Sequence, residues 1–271
     1  YGIMKEFIRE QILAVRQQSP LVHSITNYVV MNNTANALLA VGASPIMAHA
    51  HSEMVDMVRI VGALVINIGT LDEYWVKSME LAIGQANTLG KPWILDPVGA
   101  GATPYRDEVL KQLLELKPTI IRGNASEIMA LARKNAGTTK GVDSTQESTA
   151  AVEAARFLQQ EFGSVVCVSG AVDIIVGKDT TILLSNGHPL MAKVTGMGCT
   201  ATALIGAFAA VNPKDPFCAT VSAMALLGIA GEKAAKVSAG PGSMQVHILD
   251  QLYQLTDEVV ASLIKIEESN V

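Results

Sequence analysis

Short apolar runs rich in valine and isoleucine alternate with longer stretches of helical period along most of this 271-residue chain. The runs are Leu21–Ile25, Pro45–His49, Ala63–Ile68, Trp93–Leu95, Thr119–Arg122, Val165–Ser169, Asp173–Val176 and Thr181–Leu184. They have the length and β-branched content of strands. The helical stretches are Met4–Gln17, Asn33–Val41, Ser52–Val61, Asp72–Leu89, Arg106–Leu116, Ala125–Arg133 and Ser144–Phe162. Strand and helix in alternation predict a mostly parallel sheet joined by crossover helices on both faces. The last two runs differ. The link Gly177-Lys178-Asp179-Thr180 is hairpin-like, which predicts one antiparallel excursion. After Gly187 the chain reads as almost wholly helical to its end. The polar segment Asn135–Gln146 reads as a surface loop, so a single α/β domain over residues 1–271 is expected.

Composition supports that architecture. Hydrophobic residues make up 49% of the chain while aromatics are only 4%, and the mean hydropathy is +0.32. The apolar mass is therefore aliphatic, as suits a sheet buried on both faces. The excess also points to surface covered by another copy of the chain. Net charge is −5 and the basic residues are scattered, which excludes the basic stripe of a nucleic-acid binder. The three cysteines, Cys167, Cys199 and Cys218, have neither metal nor disulfide spacing, so a reducing, cytoplasmic setting is expected. The N-terminus has no basic region followed by an apolar core, so no signal peptide is expected. Two apolar segments, Cys199–Val211 and Phe217–Ala230, fall short of the about 20 residues that a membrane span needs. They read as buried helices, and no membrane partner is expected.

Four motifs carry chemistry. In Lys193-Val194-Thr195-Gly196-Met197-Gly198-Cys199-Thr200, two glycines open a small-residue helix. Backbone N–H groups there can converge on an anion, and the helix dipole adds to the field. A phosphoryl group is the natural guest. The competing reading is a glycine turn that lets the helix pack closely, and the absence of a Lys-Ser/Thr pair rules out a P-loop. A thiol at a helix N-terminus has its pKa pulled down, so Cys199 is expected to be partly thiolate. In Leu95-Asp96-Pro97-Val98-Gly99-Ala100-Gly101-Ala102-Thr103, an acid ends a buried strand and a glycine loop follows, where parallel sheets bind ligands. Asp96 either attracts Mg²⁺ or bonds its own loop as an Asx turn.

The third motif is Ile121-Arg122-Gly123-Asn124-Ala125-Ser126-Glu127. Arg122 has the chemistry to clamp phosphate oxygens. Glu127 suits a metal-bound water, and it also suits a capping box with Asn124; the two roles are compatible. Asp96 and Glu127 together match a Mg²⁺ site, which takes few carboxylates plus waters and phosphate oxygens. The fourth motif joins His23-Ser24-Ile25-Thr26-Asn27 to Gly42-Ala43-Ser44-Pro45-Ile46-Met47. Asn27 follows a strand and is placed to bond a small substrate. Met47 offers a polarisable contact to a heterocycle, though a methionine beside a strand is more often core.

These motifs, taken in order, resemble the hydroxyethylthiazole kinase family. The matching segments are "SITN", "TAN", "GASPIM", "GALVINIGTL", "LDPVGAGAT", "IRGNASEI" and "VTGMGCTAT", from about Leu21 to about Gly242. The resemblance implies a ribokinase-like fold and transfer of the γ-phosphoryl of ATP to the hydroxyl of 4-methyl-5-(2-hydroxyethyl)thiazole, for thiamine biosynthesis or salvage. By position, it implies that Met47, Gly196 and Asn27 contact the thiazole. Arg122, Ser169, Gly198 and Asn124 would contact ATP, with Ser169 where the family often has Thr. Asp96 and Glu127 would organise Mg²⁺. Cys199 would be the catalytic residue, standing where most ribokinase-like enzymes keep an Asp base. It further implies a homotrimer with active sites at subunit interfaces, so that Met47 could be supplied by a neighbouring subunit. Other readings are a hydroxymethylpyrimidine kinase, an ATP-dependent NAD(P)H-hydrate dehydratase, covalent catalysis by Cys199, and a nucleotide sensor. Cys199 in place of Asp argues against the first two. None of the five histidines has a motif tying it to Cys199, which argues against the third. The pair Asp96 and Glu127 argues against the fourth.

Overall fold

The computed structural model describes residues 2–136 and 147–269. In chain order the elements are α1 (Gly2–Gln18), β1 (Leu21–Ile25), α2 (Met31–Val41), β2 (Ser44–Ile46), α3 (Met54–Ile60), β3 (Ala63–Asn67), α4 (Glu73–Leu89), β4 (Trp93–Asp96), α5 (Pro104–Glu115), β5 (Ile120–Asn124) and α6 (Ala125–Asn135). They continue with α7 (Glu147–Phe162), β6 (Val165–Ser169), β7 (Asp173–Val176), β8 (Thr181–Leu184), α8 (Met197–Val211), α9 (Pro216–Lys236), α10 (Pro241–Gln254), α11 (Asp257–Leu263) and β9 (Ile266–Ser269). Short 3-10 turns lie at His51–Glu53 and Pro189–Lys193. Most of the predicted loop Asn135–Gln146, and the predicted helix start at Ser144, lie outside the described residues.

The nine strands form one sheet in the order β2-β1-β3-β4-β5-β6-β7-β8-β9. Strands β2 through β6 pair in parallel. From β6 onward each pairing is antiparallel. The predicted hairpin is therefore the middle of a longer antiparallel edge, because the C-terminal segment adds β9 against β8. The part after Gly187 is almost wholly helical as expected, with β9 the one strand in it among the described residues. The predicted helix Ser52–Val61 is corrected, to a 3-10 turn followed by the shorter α3.

Two apolar layers enclose the sheet. Alternation along each strand divides its side chains between them. On β3, Ala63 and Val65 join Leu38, Phe208 and Ile248 on the face covered by α1, α2 and α8–α11. Leu64 and Ile66 join Val58, Met79, Leu113 and Leu158 under α3–α7. Helix starts are fixed by side chains that take up first-turn N–H groups. Asp72 accepts from Trp75 at α4, Thr103 from Arg106 at α5, and Asp215 from Cys218 at α9. Helix α9 has the length and hydropathy of a membrane span, but 83% of that stretch is buried inside the protein, and it serves as a core helix.

The parallel register sets up the site. Asn67 pairs with Asp96 at the ends of β3 and β4, and Asn124 pairs with Ser169 at the ends of β5 and β6. Polar residues thus finish neighbouring apolar strands along one edge, where crossover loops enter their helices. Arg106 clips two of these loops together by donating to the carbonyls of Ile68, Gly69 and Val98.

Candidate active site

Arg122 is the hub of the strand-end edge. It is only 4% exposed, yet three of its guanidinium nitrogens have partners. Nη2 donates to Asp96 Oδ1 at 2.9 Å, Nη1 to Ser169 Oγ at 2.7 Å, and Nε to Thr202 Oγ1 at 2.8 Å. Asp96 has no exposed surface. Its second oxygen accepts from Thr202 Oγ1 at 2.9 Å and from Asn67 Nδ2 at 3.3 Å. Burial works against the charge on Arg122, but the carboxylates of Asp96 and Glu127 outweigh it and hold the guanidinium pKa above its usual value. An ion pair this deep is tolerated because each guanidinium nitrogen and both Asp96 oxygens have a hydrogen-bond partner.

The network continues to the other end of the edge. Asn27 Nδ2 donates to Asn67 Oδ1 at 2.9 Å and lies 3.6 Å from Cys199 Sγ. Asn67 Oδ1 also accepts from the Gly69 N–H, and Asn27 Oδ1 from the Val29 N–H. Cys199 is in the first turn of α8, whose cap is Gly196 at φ +83°. A Cβ at Gly196 would meet Val30 Cγ1 at 2.7 Å, so both conformation and space call for glycine there. A Cβ at Gly198 would sit 2.9 Å from both Nη atoms of Arg122. Glycine at that position lets the guanidinium lie against the opening turn of α8. The expectation of a thiolate at Cys199 is corrected here. Burial and then the Asp96 carboxylate push its pKa up, and donation from Asn67 and Asn27 and the charge of Arg122 offset only part of that rise. The helix terminus does not outweigh desolvation.

Arg122, Ser169 and Gly198 form one wall of a cavity of about 520 Å³. Its opposite lining is largely apolar, with Met191, Met224 and Leu227 prominent. A cavity with a cationic corner, a helix start and an apolar remainder has the make-up of a phosphorylated heterocycle's site.

A sequence model of the hydroxyethylthiazole kinase family matches residues 12–258. The hydroxyethylthiazole kinase of Syntrophus aciditrophicus is 57% identical over 256 residues, covering 94% of each chain. A solved hydroxyethylthiazole kinase structure from Pyrococcus horikoshii OT3 superposes with a TM-score of 0.91 at 45% identity, over 98% of this chain and all of that one. The chain belongs to the hydroxyethylthiazole kinase family. A ribokinase-like superfamily protein from Enterococcus faecalis V583, at 13% identity and a TM-score of 0.67 over 93% of this chain and 95% of that one, extends the likeness in fold alone.

As a member of the hydroxyethylthiazole kinase family, the chain is an enzyme of the kinase class with a ribokinase-like fold. The sequence-predicted residues Asn27, Asp96, Arg122, Ser169, Gly196, Gly198 and Cys199 come together along the strand-end edge. Met47 stands apart from the phosphate clamp. It is half-buried just after β2, one interstrand step from β1 and Asn27 but four from β5, roughly 19 Å in the strand-crossing direction. Glu127 and Asn124 form the capping box at α6, with Glu127 Oε1 accepting from the Asn124 N–H at 3.0 Å. Glu127 Oε2 accepts from the Gly99 N–H at 2.9 Å and so ties the glycine loop to α6.

Among the described residues no group of three or more His, Cys, Asp or Glu is placed to hold a metal ion. Of the two predicted metal carboxylates, Asp96 is enclosed. Glu127 borders a second open cavity of about 520 Å³ with Gly99, Gly101, Asn124, Ser126 and Arg133. That donor set fits an ion carried in on a nucleotide's phosphates and reached through water, because Mg²⁺ keeps several of its waters.

Two members of the network, Asn67 and Thr202, stand in segments matching the family but have no role among the expectations above. Both had a signal. Asn67 ends an apolar parallel strand as Asp96 does, and Thr202 stands four residues after Gly198 on the same helix face.

Proposed function

We propose that this chain transfers the γ-phosphoryl of ATP to the hydroxyl of 4-methyl-5-(2-hydroxyethyl)thiazole, a step of thiamine biosynthesis or salvage. One observation carries the reading: a buried Arg122–Asp96 pair, held by Thr202, Asn67 and Ser169, lies directly against the first turn of α8 beside the first cavity. ATP occupies that cavity. Arg122 and the Ser169 hydroxyl bind its phosphates, with Gly198 adjoining and Asn124 on the side of the second cavity. The first-turn N–H groups of Met197, Gly198 and Cys199 lack partners within their helix, and they receive the charge on the migrating group. The thiazole binds toward Asn27, Gly196 and Met47, with its hydroxyl directed at the γ-phosphorus.

Phosphoryl transfer passes through a loose transition state, so positioning and charge stabilisation carry most of the rate. A buried, neutral Cys199 is compatible with that demand. Glu127 and Asp96 are the residues that would hold Mg²⁺ through water, and the ion would neutralise phosphate charge. Residues 1–271 form one ribokinase-like domain, supported by the single sheet. A homotrimer with interface active sites is supported by Tyr28 and Val29, which are 62% and 61% exposed immediately after Asn27. A cytoplasmic setting is supported by the three free cysteines.

The test is direct. Protein, Mg-ATP and hydroxyethylthiazole are incubated, and product is read by mass alongside ADP. Phosphorylated thiazole formed in step with ADP is expected. A folded protein that consumes no ATP with this alcohol, but does so with a pyrimidine alcohol, would overturn the substrate.

A further inference from the structure

The first cavity holds a group that phosphate binding does not use. Asp173, the first residue of β7, lines it. Its side chain is buried, with the residue only 7% exposed. One oxygen, Oδ1, accepts from the Gly170 N–H at 3.0 Å. Among the described residues Oδ2 has no hydrogen-bond or ion-pair partner. In a side chain this little exposed few water donors reach that oxygen, and a carboxylate short of donors is costly. Burial accordingly pushes the Asp173 pKa up to about 6, despite the Gly170 N–H and the charge of Arg122. At neutral pH it is an acceptor-only group waiting for a donor.

The occupant's chemistry says which donor. A nucleoside triphosphate offers three regions. Its phosphates present only acceptors and repel a carboxylate. Its base presents one amino group among ring acceptors. Its sugar presents two adjacent O–H donors. Asp173 bonds to Gly170, the residue after Ser169, and so stands next to the phosphate clamp rather than among the methionines and leucine of the apolar lining. In a nucleotide the sugar follows the phosphates. An acidic residue accepting from a ribose hydroxyl is an established solution in other nucleotide folds.

We infer that Asp173 reads the ribose hydroxyls of the nucleotide and makes this enzyme prefer ribonucleoside triphosphates to their deoxy counterparts. The inference rests on the proposal that ATP occupies this cavity. It adds a specificity residue on β7 that no strand-end motif announces.

The test compares ATP with 2′,3′-dideoxy-ATP in the native protein, Asp173→Ala and Asp173→Asn, with thermal melts to confirm folding. The native enzyme should favour ATP in kcat/KM by about tenfold, as expected for one or two hydrogen bonds to a charged group. Asp173→Ala should bring the two nucleotides within about twofold by raising KM for ATP, with KM for the alcohol unchanged. Asp173→Asn keeps one acceptor and should fall between. Ala192→Trp, an exposed substitution at the cavity wall, tests the underlying reading separately. An unchanged KM for ATP in Ala192→Trp would mean that the nucleotide lies elsewhere, and both proposals fall. A raised KM there, with the ATP to dideoxy-ATP ratio of Asp173→Ala still native, overturns the ribose contact alone. So does a change that appears only between ATP and GTP, which would place Asp173 at the base.

Discussion

The two ends of the strand-end edge solve opposite problems. At the β1–β3 end, Asn27, Asn67 and Cys199 close on one another, and both amide side chains spend their groups inside the protein. At the β5–β7 end, Arg122 and Ser169 face a cavity of about 520 Å³, and Asp173 keeps an oxygen without a donor. The closed end holds geometry, since a fully satisfied polar cluster has one low-energy arrangement. The open end turns hydrogen-bonding capacity toward the cavity, where a ligand can take it up. Asp96 stands at the boundary, tied to both ends through Asn67 and Arg122.

If that division is right, the largest effect comes from breaking the boundary. Arg122→Ala leaves Asp96 charged, buried and without its counterion, and should cost about 3–5 kcal/mol in chemical denaturation, along with most of the turnover. Adding Asp96→Asn should return a large part of the stability and none of the activity. If the double variant is no more stable than the single one, Asp96 is not held by Arg122, and the boundary is misdrawn.

Glu127 gives a smaller effect that separates structure from chemistry. Glu127→Gln keeps one acceptor for the cap, gives up the one that receives the Gly99 N–H, and removes the charge facing the second cavity. Turnover should fall about 10–100-fold, the range for residues that orient a metal's ligands, while thiazole affinity stays native. Titration of the variant with the thiazole checks this. A large loss of thiazole affinity would move Glu127 from the nucleotide's side to the acceptor's side.

The same contrast explains what was legible in the sequence. Apolar periodicity marks β1, β6, β7 and β8 with their observed bounds, because a strand buried on both faces must be a continuous apolar run. Strand β9 has no such mark. Ile266-Glu267-Glu268-Ser269 is a strand only because β8 offers it an edge, and that is a tertiary fact. Asp96, Arg122 and the glycines of α8 stand in motifs that the backbone geometry requires. Asn67 and Thr202 have only a positional signal, a strand end and a helix face; that both bond to Asp96 is a tertiary fact. Cys199 departs from the expected thiolate for a related reason. The helix terminus is visible in sequence, whereas the burial and the nearby Asp96 charge that oppose it are not.

A third effect, smaller again, probes the open end through stability alone. The folded pKa of Asp173, about 6, lies above its ordinary value of 3.8. Between those values the native state holds the proton more tightly than the unfolded chain does. The group's contribution to stability is therefore fully present below about pH 4 and is lost as pH rises through about 6. At pH 7.5 the empty protein carries the cost of a desolvated charge. Asp173→Asn removes that cost and keeps the acceptor for Gly170, so it should be more stable by about 1–2 kcal/mol at pH 7.5. The gap should narrow toward pH 5, as read from urea midpoints. A variant less stable than the native protein at pH 7.5 would mean that Asp173 is already satisfied and that the open end is closed.

The smallest expected effect falls at the closed end, on Cys199. The raised pKa leaves it a neutral thiol at pH 7.5, with Asn27 3.6 Å from its sulfur. If the closed end only holds geometry, the enzyme needs no proton acceptor there. Cys199→Ala should then keep folding and lose less than about tenfold in kcat, below the 10²–10⁴-fold typical of a general base. Cys199→Asp should be tolerated, since Asn27 can donate to a carboxylate and Arg122 is close enough to act on its charge. The native kcat should show no ionisation attributable to a thiol between pH 6 and 8. A drop beyond a hundredfold in Cys199→Ala, together with a thiol pKa appearing in the native profile and vanishing in the variant, would make Cys199 a base. It would also end the division between a closed end that positions and an open end that binds.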